Sequence, residues 1–140
     1  MQVQACLSFG GRCEDALAFY KKALGAKVTM LMHWNESPDP AMKAPPGWEE
    51  KIMHAAFRIG ETTLMADDGM GEPEKAGFKG IMLTINVPDY AEAKRVFDAL
   101  GEGGKSNKPL SKTFWTSSFG MLHDRFGVPC GWSMSRLDAR

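Results

Sequence analysis

The chain has 140 residues, 44% of them apolar and 24% charged, with Lys+Arg and Asp+Glu balanced at 17 each. That length and mix suit one domain, residues 1–140, with a single core, and the neutral balance excludes the basic stripe that nucleic acid or an anionic membrane would require. No segment approaches the roughly 18 apolar residues of a membrane span, and the N-terminus lacks a basic region followed by a long apolar run, so the cytoplasm is the expected compartment.

The first element is a strand in which Val3, Ala5, Leu7 and Phe9 alternate with Gln4, Cys6 and Ser8, ended by Gly10-Gly11. Residues 14–24 carry Leu17, Tyr20, Lys21 and Leu24 at helical spacing, with Gly25 as the stop. A strand follows over residues 27–34, and then a Pro- and Gly-rich loop over residues 35–50, long enough to serve as a lid or a partner-binding segment. Residues 51–59 and 62–67 form a hairpin whose two-residue turn is Gly60-Glu61, with Gly first as a type II′ turn prefers. That turn sets the register: Ile59 opposite Thr62, Phe57 opposite Leu64 and Ala55 opposite Ala66 on one apolar face. The other face then pairs His54 with Asp67, Ala56 with Met65 and Arg58 with Thr63.

The second half repeats the plan. A strand over residues 80–87 leads to a helix over residues 89–100 stopped by Gly101, a strand near residues 105–110, and a hairpin around Asp124 to Gly127. An offset of about 76 residues superposes Leu24-Gly25 on Leu100-Gly101, although the repeat rests on element order more than on identity. The pattern predicts an α+β fold of two βαβββ modules, about residues 1–70 and 78–140, whose curved mixed sheets surround a central cavity with the helices outside.

Cys6, Cys13 and Cys130 are an odd count without CxxC spacing, which argues against a disulfide framework or a zinc knuckle and for buried thiols. Cys13 opens the first helix, where the helix dipole can lower a thiol pKa, but no His lies near it in sequence to act as a base.

Three groups of residues carry a family resemblance: Leu7-Ser8-Phe9-Gly10-Gly11 with Glu14 to Tyr20; His54 to Gly60 with Leu64-Met65-Ala66-Asp67; and the run from Phe114-Trp115 to Asp124-Arg125-Phe126-Gly127-Val128. In that order and spacing the whole chain resembles the vicinal oxygen chelate superfamily of glyoxalases, bleomycin-resistance proteins and dioxygenases, and within it the PhnB-like group. The resemblance implies metal ligands on the first and fourth strands of each half, positions that fall on Gln4, Met65, Gly80 and Gly131. Glycine has no ligating atom and a thioether suits hard or borderline cations poorly, so the usual metal site is expected to be missing and no cofactor is implied. The resemblance also implies a homodimer.

His54 facing Asp67 is the leading polar constellation, because a carboxylate orients an imidazole and raises its basicity. It reads as a candidate general base, or as a cross-strand pair that stabilises the hairpin. Arg58 and Thr63 share that face and could hold a carboxylate or phosphate. Met65, Met82 and Leu122 are expected to add deformable apolar lining, or to be ordinary core. Gln4, Cys6 and Ser118 complete the expected ligand-binding set. His123-Asp124 is not a dyad, because neighbours on a strand point to opposite faces. His33 and Trp34 adjoin the long loop, where Trp48 either closes over the cavity or packs on a second subunit.

The favoured reading is a protein that binds a small-molecule ligand in a cavity without the usual metal. The alternative is a glyoxalase- or dioxygenase-like enzyme with a non-standard site, or the demethylubiquinone methyltransferase name attached to this group. No Gly-rich loop is evident to hold a nucleotide-like methyl donor.

Overall fold

Strand alternation and helical periodicity appear where the sequence places them. The computed structural model describes residues 1–71, 77–111 and 119–134. Its elements are β1 (Cys6–Ser8), α1 (Cys13–Leu24), β2 (Lys27–His33), β3 (Ile52–Ile59), β4 (Thr62–Asp67), β5 (Leu83–Val87), α2 (Tyr90–Gly101), β6 (Lys105–Ser111), β7 (Phe119–His123) and β8 (Pro129–Met134), with a short 3-10 turn at Trp34–Glu36. They fall into two units, Met1–Gly77 and Phe78–Arg140. Each unit is a βαβββ module whose four-stranded mixed sheet runs β1-β4-β3-β2 or β5-β8-β7-β6. In both, the first strand pairs in parallel with the fourth and the other pairs are antiparallel.

In the first unit Gly60 has φ +59°, the positive value its turn needs, and the hairpin pairs Ile59 with Thr62, Phe57 with Leu64 and Ala55 with Ala66. This register brings the buried Ala55, Phe57, Leu64 and Ala66 to one face. Helix α1 covers it with Ala16, Leu17, Tyr20 and Ala23, and Tyr20 stacks on Phe57 with ring centroids 6.1 Å apart and planes 5° apart. Burial of each such large side chain contributes about 1.5–3 kcal/mol. Gly25 ends α1 in the left-handed region, its N–H bonding to the Lys21 carbonyl.

In the second unit Ala93, Val96 and Leu100 of α2 are buried, and Val87 and Ala93 pack with Ile85 and Leu110. Gly120 has no room for a side chain, since an added Cβ would lie 2.9 Å from Phe97 of α2 and 3.0 Å from Leu110. Asp89 caps α2 by accepting from the Glu92 N–H at 2.8 Å.

Three boundaries differ from the sequence reading. Gly80 lies before β5 in a turn with φ +79°, so that strand starts later than expected, at Leu83. Gly101 is the last residue of α2 rather than its stop, and Glu102 takes the capping position. Strand β1 is shorter than its alternating pattern, because only Cys6, Leu7 and Ser8 find register partners on β4.

Candidate functional site

Period-two alternation sends Cys6, Ser8, His54, Arg58, Thr63, Met65 and Asp67 to the face of the first sheet opposite α1. Register defines rows across this face: Cys6, Met65, Ala56 and Met30 in one, and Ser8 beside Asp67 in the next. Arg58 and Thr63 pair further along, with Lys27 opposite Arg58. His54, Thr63, Met65 and Asp67 are half-buried, whereas Cys6, Ser8 and Arg58 are exposed.

The expected His54–Asp67 pair does not form a hydrogen bond. The Asp67 carboxylate is taken up by its parallel neighbour instead: the Ser8 hydroxyl donates to Oδ1 at 2.6 Å and the Cys6 thiol to Oδ2 at 3.6 Å. The Gly69 N–H also donates to Oδ1, at 2.9 Å. The β1–β4 ladder sets Ser8 directly against Asp67, and the carboxylate bonds to that neighbour and not to His54. Burial, followed by the Asp67 charge and hydrogen bond, pushes the Cys6 thiol up to about 11, so at neutral pH Cys6 is a donor and not a nucleophile.

The other expected site residues are scattered. Gln4 precedes β1 and is half-buried, beside the Ala5 carbonyl that accepts from the Met65 N–H at 2.9 Å. The Arg58 guanidinium folds back on its own turn, donating from Nη2 to the Gly60 carbonyl at 3.3 Å. Met82 sits just before β5 and is exposed. Leu122 is on the wrong face for a ligand: it is 1% exposed, and its Cδ2 lies 3.3 Å from where a Cβ on Gly101 of α2 would be. It pairs with Cys130, whereas Met121 pairs with Gly131, and strand alternation forbids Leu122 from sharing the Gly131 face. Ser118 and the Phe114-Trp115 end of the family-like run lie outside the described residues.

Of the four positions that the resemblance implied as metal ligands, Gln4 precedes β1 and Gly80 lies outside the strand it was assigned to. Gly131 offers no donor between Thr84 and Met121, and Met65 offers a thioether beside Cys6. Among the described residues no group of three or more His, Cys, Asp or Glu side chains is arranged to hold a metal ion.

Asp68 was not singled out in the sequence, yet it organises the first unit. It is 2% exposed; Oδ1 accepts from the Gly11 N–H at 2.8 Å and the Cys13 N–H at 2.7 Å, and Oδ2 accepts from the Ile52 N–H at 2.8 Å. The anion position at the start of α1 is thus filled by the protein's own carboxylate. Burial, with the Asp68 charge adding to it, raises the Cys13 thiol pKa, the reverse of the dipole effect expected from its place in the helix.

A cleft of about 490 Å³ opens at this hub, lined by Glu14, His33, Glu36, Glu50, Lys51 and Asp68 among others. Several of its charged groups already have partners: His33 Nδ1 lies 2.8 Å from Glu36 Oε1, and Lys51 Nζ donates to the Gly11 carbonyl at 3.0 Å. The long loop is pinned at its base here, with the Trp34 N–H bonded to the Lys51 carbonyl and the Asn35 N–H to the Glu49 carbonyl, both at 2.9 Å.

In the second unit His123 and Asp124 separate as alternation requires. His123 Nδ1 lies 2.6 Å from Asn107 Oδ1, while Asp124 is 3% exposed and accepts from the N–H groups of Phe126 at 2.8 Å and Val128 at 3.0 Å.

A family model for the Glyoxalase/Bleomycin resistance protein/Dioxygenase superfamily matches residues 2–130. Protein YjdN of Escherichia coli (strain K12) is 36% identical over 136 residues, covering 92% of each chain. The crystal structure of protein PA1353 from Pseudomonas aeruginosa superposes with a TM-score of 0.83 at 39% identity, covering 96% of this chain and 98% of that one. The PhnB protein from Bacillus cereus gives a TM-score of 0.81 at 22% identity over 96% of this chain and 100% of that one, a likeness of fold alone.

Proposed function

The chain belongs to the glyoxalase/bleomycin resistance protein/dioxygenase superfamily, and from that premise we propose that it binds a small molecule on the open face of its first sheet, without the metal the family commonly uses. One observation carries the reading: the helix-distal face of this sheet brings Ser8, Asp67 and Thr63 around the soft side chains of Cys6, Met65 and Met30. A few directional polar groups within a deformable apolar lining are what a small-molecule site requires.

A thermal-shift screen of the purified protein against a small-molecule library, with and without divalent cations, tests it. A ligand at about a hundred times its Kd adds about 2.7 kcal/mol of stability. The expected hit raises the melting temperature equally in chelator, and Met65→Ala lowers its affinity. Stoichiometric metal that is lost on replacing Gln4 or His54 by Ala would overturn the metal-free part of the reading, and a library without a single hit would remove the binding part.

The same reading takes the protein as a cytoplasmic homodimer. Its three free cysteines support a reducing compartment, and the exposed Val28, Met30 and Leu31 on the edge strand β2 support a covered edge. No described helix is long and apolar enough to cross a membrane. Light scattering on a size-exclusion column reads the subunit count, and a single-chain mass would remove the dimer.

A further inference from the structure

We infer that the Asp67 end of this face is a recognition site for an organic ammonium group, an inference that rests on the small-molecule reading and gives its ligand a chemical class. Proton placement sets the class. The Ser8 hydroxyl and the Cys6 thiol both spend their hydrogens on the Asp67 carboxylate, at 2.6 Å and 3.6 Å, and the Gly69 N–H is spent there too, at 2.9 Å. What these groups retain for a ligand is lone pairs: those of Ser8 Oγ, the remaining capacity of Asp67 Oδ2, and the Cys6 sulfur. Such a cluster accepts hydrogen bonds and has few left to give.

Charge points the same way. Asp67 is half-buried, and among the described residues no Lys or Arg pairs with it. A partly desolvated carboxylate without a cation gains from one that arrives with several N–H donors. A hard metal ion is a poor candidate, since it wants about six or more oxygen ligands and finds here one carboxylate and one hydroxyl. An alkylammonium fits better. The next row, Cys6, Met65, Ala56 and Met30, supplies polarizable apolar surface on which its carbon chain can lie. Arg58 and Lys27 lie four residues further along the sheet, about 13 Å at the usual strand rise, too far to repel the ammonium group strongly.

The test titrates the full-length protein with n-hexylammonium, n-hexanol and n-hexanoate, three probes of one chain length and different charge, and follows residue-resolved amide and methionine methyl shifts by NMR. Hexylammonium is expected to saturate shifts at Ser8, Asp67 and Met65 and to bind most tightly of the three. Asp67→Asn, which keeps an oxygen for the Gly69 N–H, is expected to weaken it about tenfold or more. Ser8→Ala should weaken it less and guards against a fold defect in the first variant, with melting curves recorded for both. Hexanol or hexanoate binding this face as tightly as hexylammonium overturns the inference and leaves the small-molecule reading standing. Unchanged hexylammonium affinity in both variants, or no hexylammonium binding to the parent, overturns it as well, whereas a library without hits removes the two together.

Discussion

The two modules share a strand order and differ in how each anchors the start of its helix. Helix α2 is capped by the residue that precedes it, Asp89, whose carboxylate accepts from the Glu92 N–H. Helix α1 has no side-chain cap at Arg12; its leading N–H groups at Gly11 and Cys13 are held by Asp68, from the end of β4. Asp68 also takes the Ile52 N–H, so one carboxylate joins the β1–α1 turn, the start of β3 and the end of β4. The second unit has its own buried carboxylate, Asp124, which accepts from the Phe126 and Val128 N–H groups of its own turn. A local cap stabilises one element, while a remote one makes the helix depend on closure of the whole sheet.

Removing Asp68 should therefore cost more than any other single cap. Asp68→Ala strands three N–H groups, those of Cys13 and Ile52 in buried positions, and a loss of about 3 kcal/mol or more in urea unfolding is expected. Asp124→Ala should cost less, about 2 kcal/mol. A loss at Asp68 no greater than that at Asp124 would break the contrast between remote and local anchoring.

Each buried carboxylate also has a buried thiol beside it, which gives a second way to compare the units. Burial and then Asp124 push the Cys130 thiol up to about 12 from its ordinary 9.0, and burial and then Asp68 raise Cys13 further. Both are almost fully buried, Cys13 at 0% and Cys130 at 3% exposure. A thiol whose folded pKa is raised ionises first in the unfolded chain. The stability it contributes is complete below the ordinary value and falls as pH climbs from there towards the folded value. Each thiol should remove up to about 1.4 kcal/mol per pH unit above about pH 9. Unfolding free energies measured in reductant across that range should fall less steeply for Cys13→Ala and for Cys130→Ala than for the parent, with the larger relief at Cys13. Equal slopes in parent and variants would show that neither thiol is held protonated.

What the sequence disclosed follows the same division between local and remote. The Gly60-Glu61 turn carries its own instructions, and the register of β3 on β4 followed from it residue by residue. Helical spacing located α1 and α2 for the same reason. The parallel β1–β4 ladder has no such marker, because α1, β2 and β3 separate its partners in sequence. Asp67 was accordingly assigned to His54, its expected hairpin neighbour, instead of to Ser8, and Asp68 was not singled out. Leu122, expected as pocket lining or as core, is core: it pairs with Cys130, and Met121 stands beside Gly131.

The smallest effect is the sharpest test of the contrast. Asp89→Ala should cost about 1 kcal/mol, and faster amide exchange should be confined to the first turn of α2. Asp89→Asn should restore most of that, because the bond to Glu92 needs one acceptor oxygen and an Asn amide supplies it. The same replacement at Asp68 cannot succeed. Oδ1 already serves Gly11 and Cys13, so the amide nitrogen of Asn would have to face the Ile52 N–H, donor against donor in a buried site. Asn should thus be nearly neutral at residue 89 and nearly as costly as Ala at residue 68. An Asn at 68 that melts like the parent would mean that the carboxylate is not held by both oxygens, and the remote anchor would reduce to an ordinary cap.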